Sequence, residues 1–260
     1  MTPQYFRFPI GRFEQGLRRL YSESMRLLGY HVHVVSAQGA RFVVDTTDLI
    51  DRSIAWFGIW EGDQIEDMAQ ICHRFRADYF FDIGANSGVY SILLAIKGVV
   101  PNVVAFEPDP GNYARLMANL AANQLTDKVR ALPSAVGAEA TEVDLMEAGG
   151  HNRGESWIAH PDKPPEEAPG VATHRVRQIR FDDEFAIACK TLVIKMDVEG
   201  SEFHALRGMR RTLADNACYI QVELYSDRID ELKALFAGLG YRYLKTAYID
   251  HYFTNIAGIE

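Results

Sequence analysis

The sequence is poor in cysteine and has no C-x-x-C pair. Its cysteines are Cys72, Cys189 and Cys218, which lie far apart along the chain. Such a set fits neither a disulfide framework nor a zinc site, because both need several cysteines at organised spacings. We therefore expect small core residues with reduced thiols. Because reduced thiols are typical of the cytosol, we also expect a cytoplasmic protein.

A basic surplus and long apolar runs are also absent. The chain of 260 residues has 27 Lys and Arg against 35 Asp and Glu, a formal net charge of -8. Because nucleic-acid-binding proteins usually carry a basic surplus, we expect no nucleic-acid partner. No run reaches the ~18 apolar residues of a membrane-spanning helix, so we expect no membrane span. The first residues show no secretory signal pattern either.

Strands and helices alternate regularly after the first quarter of the chain. The predicted strands are 79–83, 102–106, 129–132, 191–196, 219–224, 241–245 and 248–254. Helical patterns separate most of them, which is typical of parallel strands with helices on both faces of the sheet. The last two are aromatic and alternating, and they predict a closing antiparallel hairpin. The sequence therefore indicates an α/β fold with a seven-stranded, mostly parallel sheet.

The chain divides into an N-terminal extension at 1–61 and the α/β domain at 62–260. A helix at 11–29 and strands at 31–36 and 41–45 are predicted for the extension, which we expect to pack on the core. The helix is rich in arginine. We interpret this as a solvated helix face; the alternatives are a membrane or partner surface, which would include a second subunit.

An insertion at about 141–176 interrupts the alternation. It combines the glycine-rich segment G-G-H-N-R-G with the proline-rich segment P-D-K-P-P-E-E-A-P-G. We expect a strand pair with a mobile connection, inserted in the sheet rather than linking two domains. Residues 149–171 are expected to shape a substrate pocket or to act as a lid.

The motif D-I-G-A-N-S-G follows the first strand of the domain and begins a helix. The residues of this turn that we expect to bind a ligand are Asp82, Gly84, Ala85, Asn86, Ser87 and Gly88. The glycines allow backbone conformations that a Cβ disfavours, and they let a ligand approach the main chain. Because the carboxyl ends of parallel strands border a crevice, a nucleoside is the expected ligand class. Asp82 could accept hydrogen bonds from a charged or amino group.

The motif A-F-E-P-D-P ends the next strand and places Glu107 at its end. A carboxylate there can accept charge-assisted hydrogen bonds from both hydroxyls of a ribose. Pro108 ends the strand and stiffens the turn. The alternative interpretation of Glu107 is an acidic helix cap. Its spacing from the glycine turn favours the ribose.

Two classes of nucleoside compete for this crevice. A nicotinamide site needs G-x-G-x-x-G, and the middle glycine is missing from G-A-N-S-G. Asp82 would also face a pyrophosphate with like charge. S-adenosylmethionine has a sulfonium and an ammonium but no phosphate, so it suits an acidic turn better. A nicotinamide-dependent oxidoreductase and a non-catalytic nucleoside-binding protein remain the alternatives.

A third motif, I-K-M-D-V-E-G-S-E, follows the apolar strand at 191–196 and carries Asp197 and Glu199. Acids at the end of a buried strand are candidates for a functional site. Capping of the following helix, worth ~1 kcal/mol, is the alternative interpretation. Asp197, Glu199, Glu202 and Glu223 could offer oxygen ligands to a divalent cation, but no pattern fixes their geometry and we assign no metal.

The three motifs together resemble the FkbM family of methyltransferases. Their order and spacing match over about residues 40–225, and A-L-R-G after the third motif adds to the resemblance. The resemblance implies a Rossmann-like class I methyltransferase fold and S-adenosyl-L-methionine as the methyl donor. It implies O-methylation of a sugar, glycan or polyketide-type acceptor. It also implies that Asp82, Gly84, Glu107 and the backbone near Ser134 and Ala135 line the cofactor.

A hydroxyl acceptor must lose its proton, so a positioned base would accelerate transfer by roughly 10²–10⁴-fold. Asp197 is the first candidate, because it ends a strand in the expected crevice, where it would also contact the cofactor. His151 and His204 are the second candidates. For both histidines the alternative is an ordinary surface or hydrogen-bonded side chain.

Overall fold

A computed structural model describes residues 11–147, 156–160, 172–225 and 227–259 of the chain. The N-terminal elements are α1 (Arg12–Leu27), β1 (Val32–Ala37), β2 (Ala40–Asp45), α2 (Leu49–Phe57) and α3 (Gly62–Arg74). They are followed by β3 (Tyr79–Ile83), α4 (Val89–Lys97), β4 (Asn102–Phe106), α5 (Pro110–Ala122) and β5 (Val129–Leu132). The aromatic-rich stretch after β2, to which the sequence pattern assigned no structure, contains α2.

The second half of the described chain begins with four strands and a short helix. These are β6 (Ala135–Gly137), β7 (Thr141–Glu147), β8 (Trp157–Ile158), β9 (Ala172–Arg180) and α6 (Phe181–Glu184). The chain then forms β10 (Thr191–Met196), α7 (Glu202–Gly208), α8 (Arg210–Asp215) and β11 (Ala217–Glu223). It ends with α9 (Ile229–Gly238), β12 (Arg242–Ala247) and β13 (Asp250–Thr254).

The largest sheet within the described ranges has the strand order β12-β13-β11-β10-β3-β4-β5. The five strands from β11 to β5 are parallel, and β13 is antiparallel to both β11 and β12. The predicted α/β class with a mixed sheet is confirmed. Because all the parallel strands run the same way, the residues that follow β3, β4, β10 and β11 meet at one edge.

Alternate side chains of the parallel strands pack into two apolar cores, one on each face of the sheet. One core contains Phe80, Val103 and Val193 together with residues of α3, α4 and α5. The other contains the neighbouring positions and residues of α7, α8 and α9. Helices thus cover both faces, as continuous apolar strands of a parallel sheet require.

The N-terminal hairpin β1–β2 is joined to the domain through α5. The side chain of Asn123 accepts from the backbone N–H and donates to the carbonyl of Arg41, and Asn119 accepts from the N–H of Val43. These bonds satisfy the free edge of β2. Helix α1 does not direct these leucines toward the core: Leu17 and Leu20 are exposed, whereas Ser22 is buried. The boundary at residue 61 stays a prediction.

The insertion forms a sheet of its own. In the described residues β6, β9, β7 and β8 form a four-stranded sheet in that order, with β7 antiparallel to β9. The expected strand pair is present as β7 and β9, and the assignment of the region as an insertion stays a prediction. Residues 148–155 and 161–171, which include His151 and most of the predicted lid, lie outside the described residues.

Candidate active site

Acidic residues form a row along one edge of the main sheet. The last residues of β4, β3 and β10 are paired side by side, and Val222 of β11 pairs with the end of β10. The next position on each strand therefore extends the row, and β13 adds the residue opposite the end of β11. The row consists of Glu107, Gly84, Asp197, Glu223 and Asp250.

A cavity of about 810 Å³ opens above this row. Besides the row, its wall includes residues that precede α3, residues that precede β6, the insertion sheet and the turn between β12 and β13. Its acidic lining residues are Glu61, Asp63, Glu107, Asp197, Glu199, Glu223 and Asp250. Among the described lining residues there is no lysine, arginine or histidine. The cavity is therefore large enough for a nucleoside and is strongly acidic.

The glycine turn is folded tightly against the end of β10. Gly84 has a φ of 81°, and a Cβ there would overlap the carbonyl oxygen of Asp197. The N–H groups of Gly84 and Ala85 both donate to the carbonyl of Phe106 at 3.0 and 2.9 Å. Only glycine fits this position without strain, because both the backbone angle and the neighbouring carbonyl exclude a side chain. The turn thereby links β3, β4 and β10.

Two residues of the predicted turn, Gly84 and Asn86, line the cavity. Asp82 is not among the lining residues of the cavity, and its contact with a ligand stays a prediction. Asp82 is buried beneath the turn, where it accepts hydrogen bonds from the backbone N–H and the hydroxyl of Ser91 at 3.1 and 2.7 Å. Burial raises the pKa of Asp82. Its carboxyl group holds the start of α4 in place.

Three further residues of the predicted turn are not among the lining residues of the cavity. Ala85 and Ser87 are buried, and Gly88 is the N-cap of α4, where a Cβ would overlap the side chain of Leu116. Their expected contact with a ligand stays a prediction. They shape the turn from behind because side chains on alternate sides of a tight turn cannot all face one cavity.

Glu107 lies in the cavity wall, and backbone hydrogen bonds fix the orientation of both of its carboxylate oxygens. Oε2 accepts from the N–H of Asn86 at 2.7 Å, and Oε1 accepts from the N–H of Asp109 at 2.8 Å. Burial raises the pKa of Glu107 to about 7, although these backbone bonds oppose the rise. Each oxygen keeps a lone pair for a further donor. Pro108, Ser134 and Ala135 line the same wall, and their contact with a cofactor stays a prediction.

Asp197 lies in the middle of the row and is paired with a buried lysine. The ammonium of Lys195 lies 2.9 Å from Asp197 Oδ2 and 3.3 Å from the carbonyl oxygen of Gly84. Burial disfavours this ammonium, but Asp197, Asp82 and Glu61 outweigh that effect and raise the pKa of Lys195. The pair fixes the end of β10 against the glycine turn.

The structure adds acidic residues that the sequence motifs missed. Glu61 precedes α3 and accepts from the hydroxyl of Tyr90 at 2.7 Å; burial raises the pKa of Glu61 to about 7. Asp250 accepts from the amides of Gln221 and Gln64, both at 2.7 Å. No motif indicates Glu61 or Asp250, because their elements reach the cavity only through the strand order.

Of the two histidine candidates, the structure describes only His204. His204 is not among the lining residues of the cavity, and its ring is stacked on that of His160 with centroids 3.9 Å apart. The role of His204 as a base stays a prediction. His151 lies outside the described residues.

The described part of the chain has no cluster of three or more His, Cys, Asp or Glu residues arranged to hold a metal ion. In the same residues no helix has the length and apolar character needed to cross a membrane. Cytoplasmic location, the absence of a nucleic-acid partner and a role for a second subunit stay predictions.

The model of the methyltransferase FkbM domain matches residues 82–243, which is more than half of the chain. The chain therefore belongs to the FkbM methyltransferase family. The match begins at Asp82, at the glycine turn, and ends within β12, so it contains all three sequence motifs. The resemblance inferred from those motifs is confirmed.

The individual proteins compared share less than a third of their residues with the chain. The chain is 28% identical over 196 residues to the hexuronic acid methyltransferase AglP of Haloferax volcanii, covering 74% of this chain and 73% of that relative. A methyltransferase FkbM structure from Methylobacillus flagellatus KT is 16% identical with a TM-score of 0.49, covering 92% of this chain. The chain spans 60% of the length of that structure. M. jannaschii TYW2 in complex with S-adenosylmethionine is 14% identical with a TM-score of 0.43, covering 86% of this chain and 84% of that one.

Proposed function

We propose that the chain is an S-adenosylmethionine-dependent O-methyltransferase with a class I methyltransferase fold, acting on a hydroxyl of a sugar or glycan. The observation that carries this proposal is the acidic cavity beside the glycine turn. Seven carboxylates line it, without a basic side chain among the described lining residues. A pyrophosphate would be repelled there, whereas a sulfonium and an ammonium would be attracted. The charge of the wall therefore favours S-adenosylmethionine over a nicotinamide dinucleotide.

Different residues of the wall would contact different chemical groups of the proposed donor. Glu107 has its oxygens fixed by Asn86 and Asp109 and can accept both ribose hydroxyls. The residues at Ser134 and Ala135 lie on the adenosine side of Glu107, because they follow β5 at the end of the sheet. Asp197 and its neighbours supply negative charge near the middle of the row. The bound donor would supply a methyl group already activated by the positive sulfur.

The acceptor class rests on the family and on the charge of the cavity. The relative AglP is named a hexuronic acid methyltransferase, which favours a sugar over a polyketide-type acceptor. Carboxylates can accept hydrogen bonds from several sugar hydroxyls. The apolar residues Ile59, Trp60 and Ile158 line the same cavity and would exclude water from the acceptor.

The chain's contribution to the reaction is positioning, water exclusion and proton removal. Alignment of donor and acceptor in a fixed cavity can supply up to about 7–11 kcal/mol of the barrier. Asp197 was the first candidate for the base. Its ion pair with Lys195 suits it instead to a fixed charge beside the donor, because accepting a proton would remove that pair.

The test is formation of S-adenosylhomocysteine from S-adenosylmethionine with sugars as acceptors. Hexuronic acids, their methyl glycosides and the matching neutral sugars would be compared, each with and without a chelator. Chelator-resistant turnover with at least one sugar, absent in Glu107→Ala, is the expected result. Turnover with polyketide-type phenols but with no sugar would contradict the proposed acceptor class.

A further inference from the structure

The strand order assigns a donor side and an acceptor side to the acidic row. Glu107 on β4 and the glycine turn after β3 lie at one end, where the proposed donor is held. Two strands further along, Glu223 ends β11 and is paired in register with Asp250 on β13. Glu223 lines the cavity and follows Asp197 directly in the row. An acceptor beyond the donor's methyl group would therefore face Glu223.

The two other carboxylates on this side of the row already have partners. Asp197 is paired with Lys195 at 2.9 Å. Asp250 accepts two amide hydrogen bonds. Glu61 accepts from the hydroxyl of Tyr90 at 2.7 Å, but it precedes α3 and lies outside the row. Glu223 accepts from the hydroxyl of Tyr225, a donor that can also bond to a carboxyl group in its protonated form.

The charges around Glu223 come from three strands. Burial and the neighbouring carboxylate of Asp197 raise the pKa of Glu223 to about 8, with a smaller contribution of the same sign from Asp250. Lys195 and the hydroxyl of Tyr225 act in the opposite direction. Glu223 therefore holds a proton more readily than a glutamate in water. A positive charge placed beside it would favour the ionised form.

We propose that Glu223 accepts the proton of the acceptor hydroxyl, and that the positively charged donor bound beside it favours its ionised form. The inference rests on the proposed function and names the base for that reaction. The acceptor O–H bond breaks and its proton passes to Glu223. The oxygen's electron pair forms the bond to the methyl carbon, and the electron pair of the S–CH₃ bond remains on sulfur. The products are the methyl ether, neutral S-adenosylhomocysteine and a protonated Glu223.

This assignment also narrows the acceptor. A carboxylate acceptor needs no base and would be repelled by an ionised Glu223. A hydroxyl is neutral and needs a base, so the arrangement favours an ether product over a methyl ester.

The test is the number of protons released on ligand binding, obtained by calorimetry at pH 7 in buffers of different ionisation enthalpy. Sinefungin carries an amine-bearing carbon in place of the sulfonium, whereas S-adenosylhomocysteine is neutral at sulfur. The wild-type chain should release up to about one proton more with sinefungin than with S-adenosylhomocysteine. In Glu223→Gln this difference should disappear while both ligands still bind. Glu61→Gln, the matched control on the same wall, should keep the difference.

Each other outcome has a distinct meaning. Equal proton release with both ligands in the wild-type chain would overturn the inference without the need for any variant. Loss of the difference in Glu61→Gln but not in Glu223→Gln would also overturn it and assign the proton to Glu61. If neither ligand bound the wild-type chain, the proposed function itself would fail, and the inference with it.

Discussion

The ammonium of Lys195 lies 2.9 Å from Oδ2 of Asp197, two positions further along the chain, and Asp197 lines a cavity whose described charged residues are all acids. The same ammonium reaches the carbonyl of Gly84 at 3.3 Å. One buried cation thus holds the end of β10 against the glycine turn and offsets part of the negative charge of the site.

Replacement of Lys195 should lower the free energy of unfolding by an amount that depends on pH. Lys195→Met leaves buried carboxylates without their cation, which costs about 3–5 kcal/mol of unfolding free energy. The loss should be larger at pH 8 than at pH 6, because at lower pH the carboxylates can be neutralised by protons. Urea unfolding at both pH values measures it. Lys190→Met, which removes a half-exposed ion pair with Asp78, is the control and should cost less than about 1 kcal/mol. An equal loss from Lys195→Met at both pH values would contradict this account.

Gly84→Ala should be strongly destabilising. The new Cβ meets the carbonyl oxygen of Asp197 at a positive φ, so strain and overpacking together should cost about 2–6 kcal/mol. Gly238→Ala in α9 is the matched control, since nothing lies within 4 Å of its Cβ position. Thermal unfolding of the two variants provides the measurement. A Gly84→Ala chain as stable as Gly238→Ala would mean that the turn can move away from β10.

The stability of the ligand-free chain should fall as the pH rises through the neutral range. Glu61 has a pKa raised from its ordinary 4.5 to about 7 by burial. Between these values the folded chain keeps a proton that the unfolded chain has lost, so raising the pH favours unfolding. The loss should develop from about pH 5 to about pH 7. Glu61→Gln should flatten this part of the curve. Unfolding midpoints from pH 5 to 8 test the prediction, and an unchanged slope in the variant would refute it.

Glu107→Ala should weaken binding of S-adenosylhomocysteine by roughly 10- to 100-fold, because hydrogen bonds to a charged acceptor contribute about 1.5–3 kcal/mol. Titration calorimetry measures the dissociation constant. Glu142→Ala, on an exposed part of β7, is the control and should bind like the wild-type chain. An unchanged dissociation constant in Glu107→Ala would remove Glu107 from the ribose site.

The sequence predicts the site residues that lie at the ends of strands. Glu107 and Asp197 follow apolar runs, and an apolar run must end at the sheet edge where its side chains become accessible. The placement of Asp82 could not be predicted, because a one-residue difference in a strand decides which side of the turn a carboxylate faces. Glu61 and Asp250 could not be predicted either. They reach the cavity only because α3 and the hairpin pack beside β11, which local patterns do not encode.

The central claim is that the acidic cavity binds the methyl donor. Titration calorimetry of the wild-type chain with S-adenosylhomocysteine and, separately, with NAD tests it most directly. The account predicts saturable binding of one S-adenosylhomocysteine per chain and no binding of NAD. Binding of NAD without binding of S-adenosylhomocysteine would contradict it.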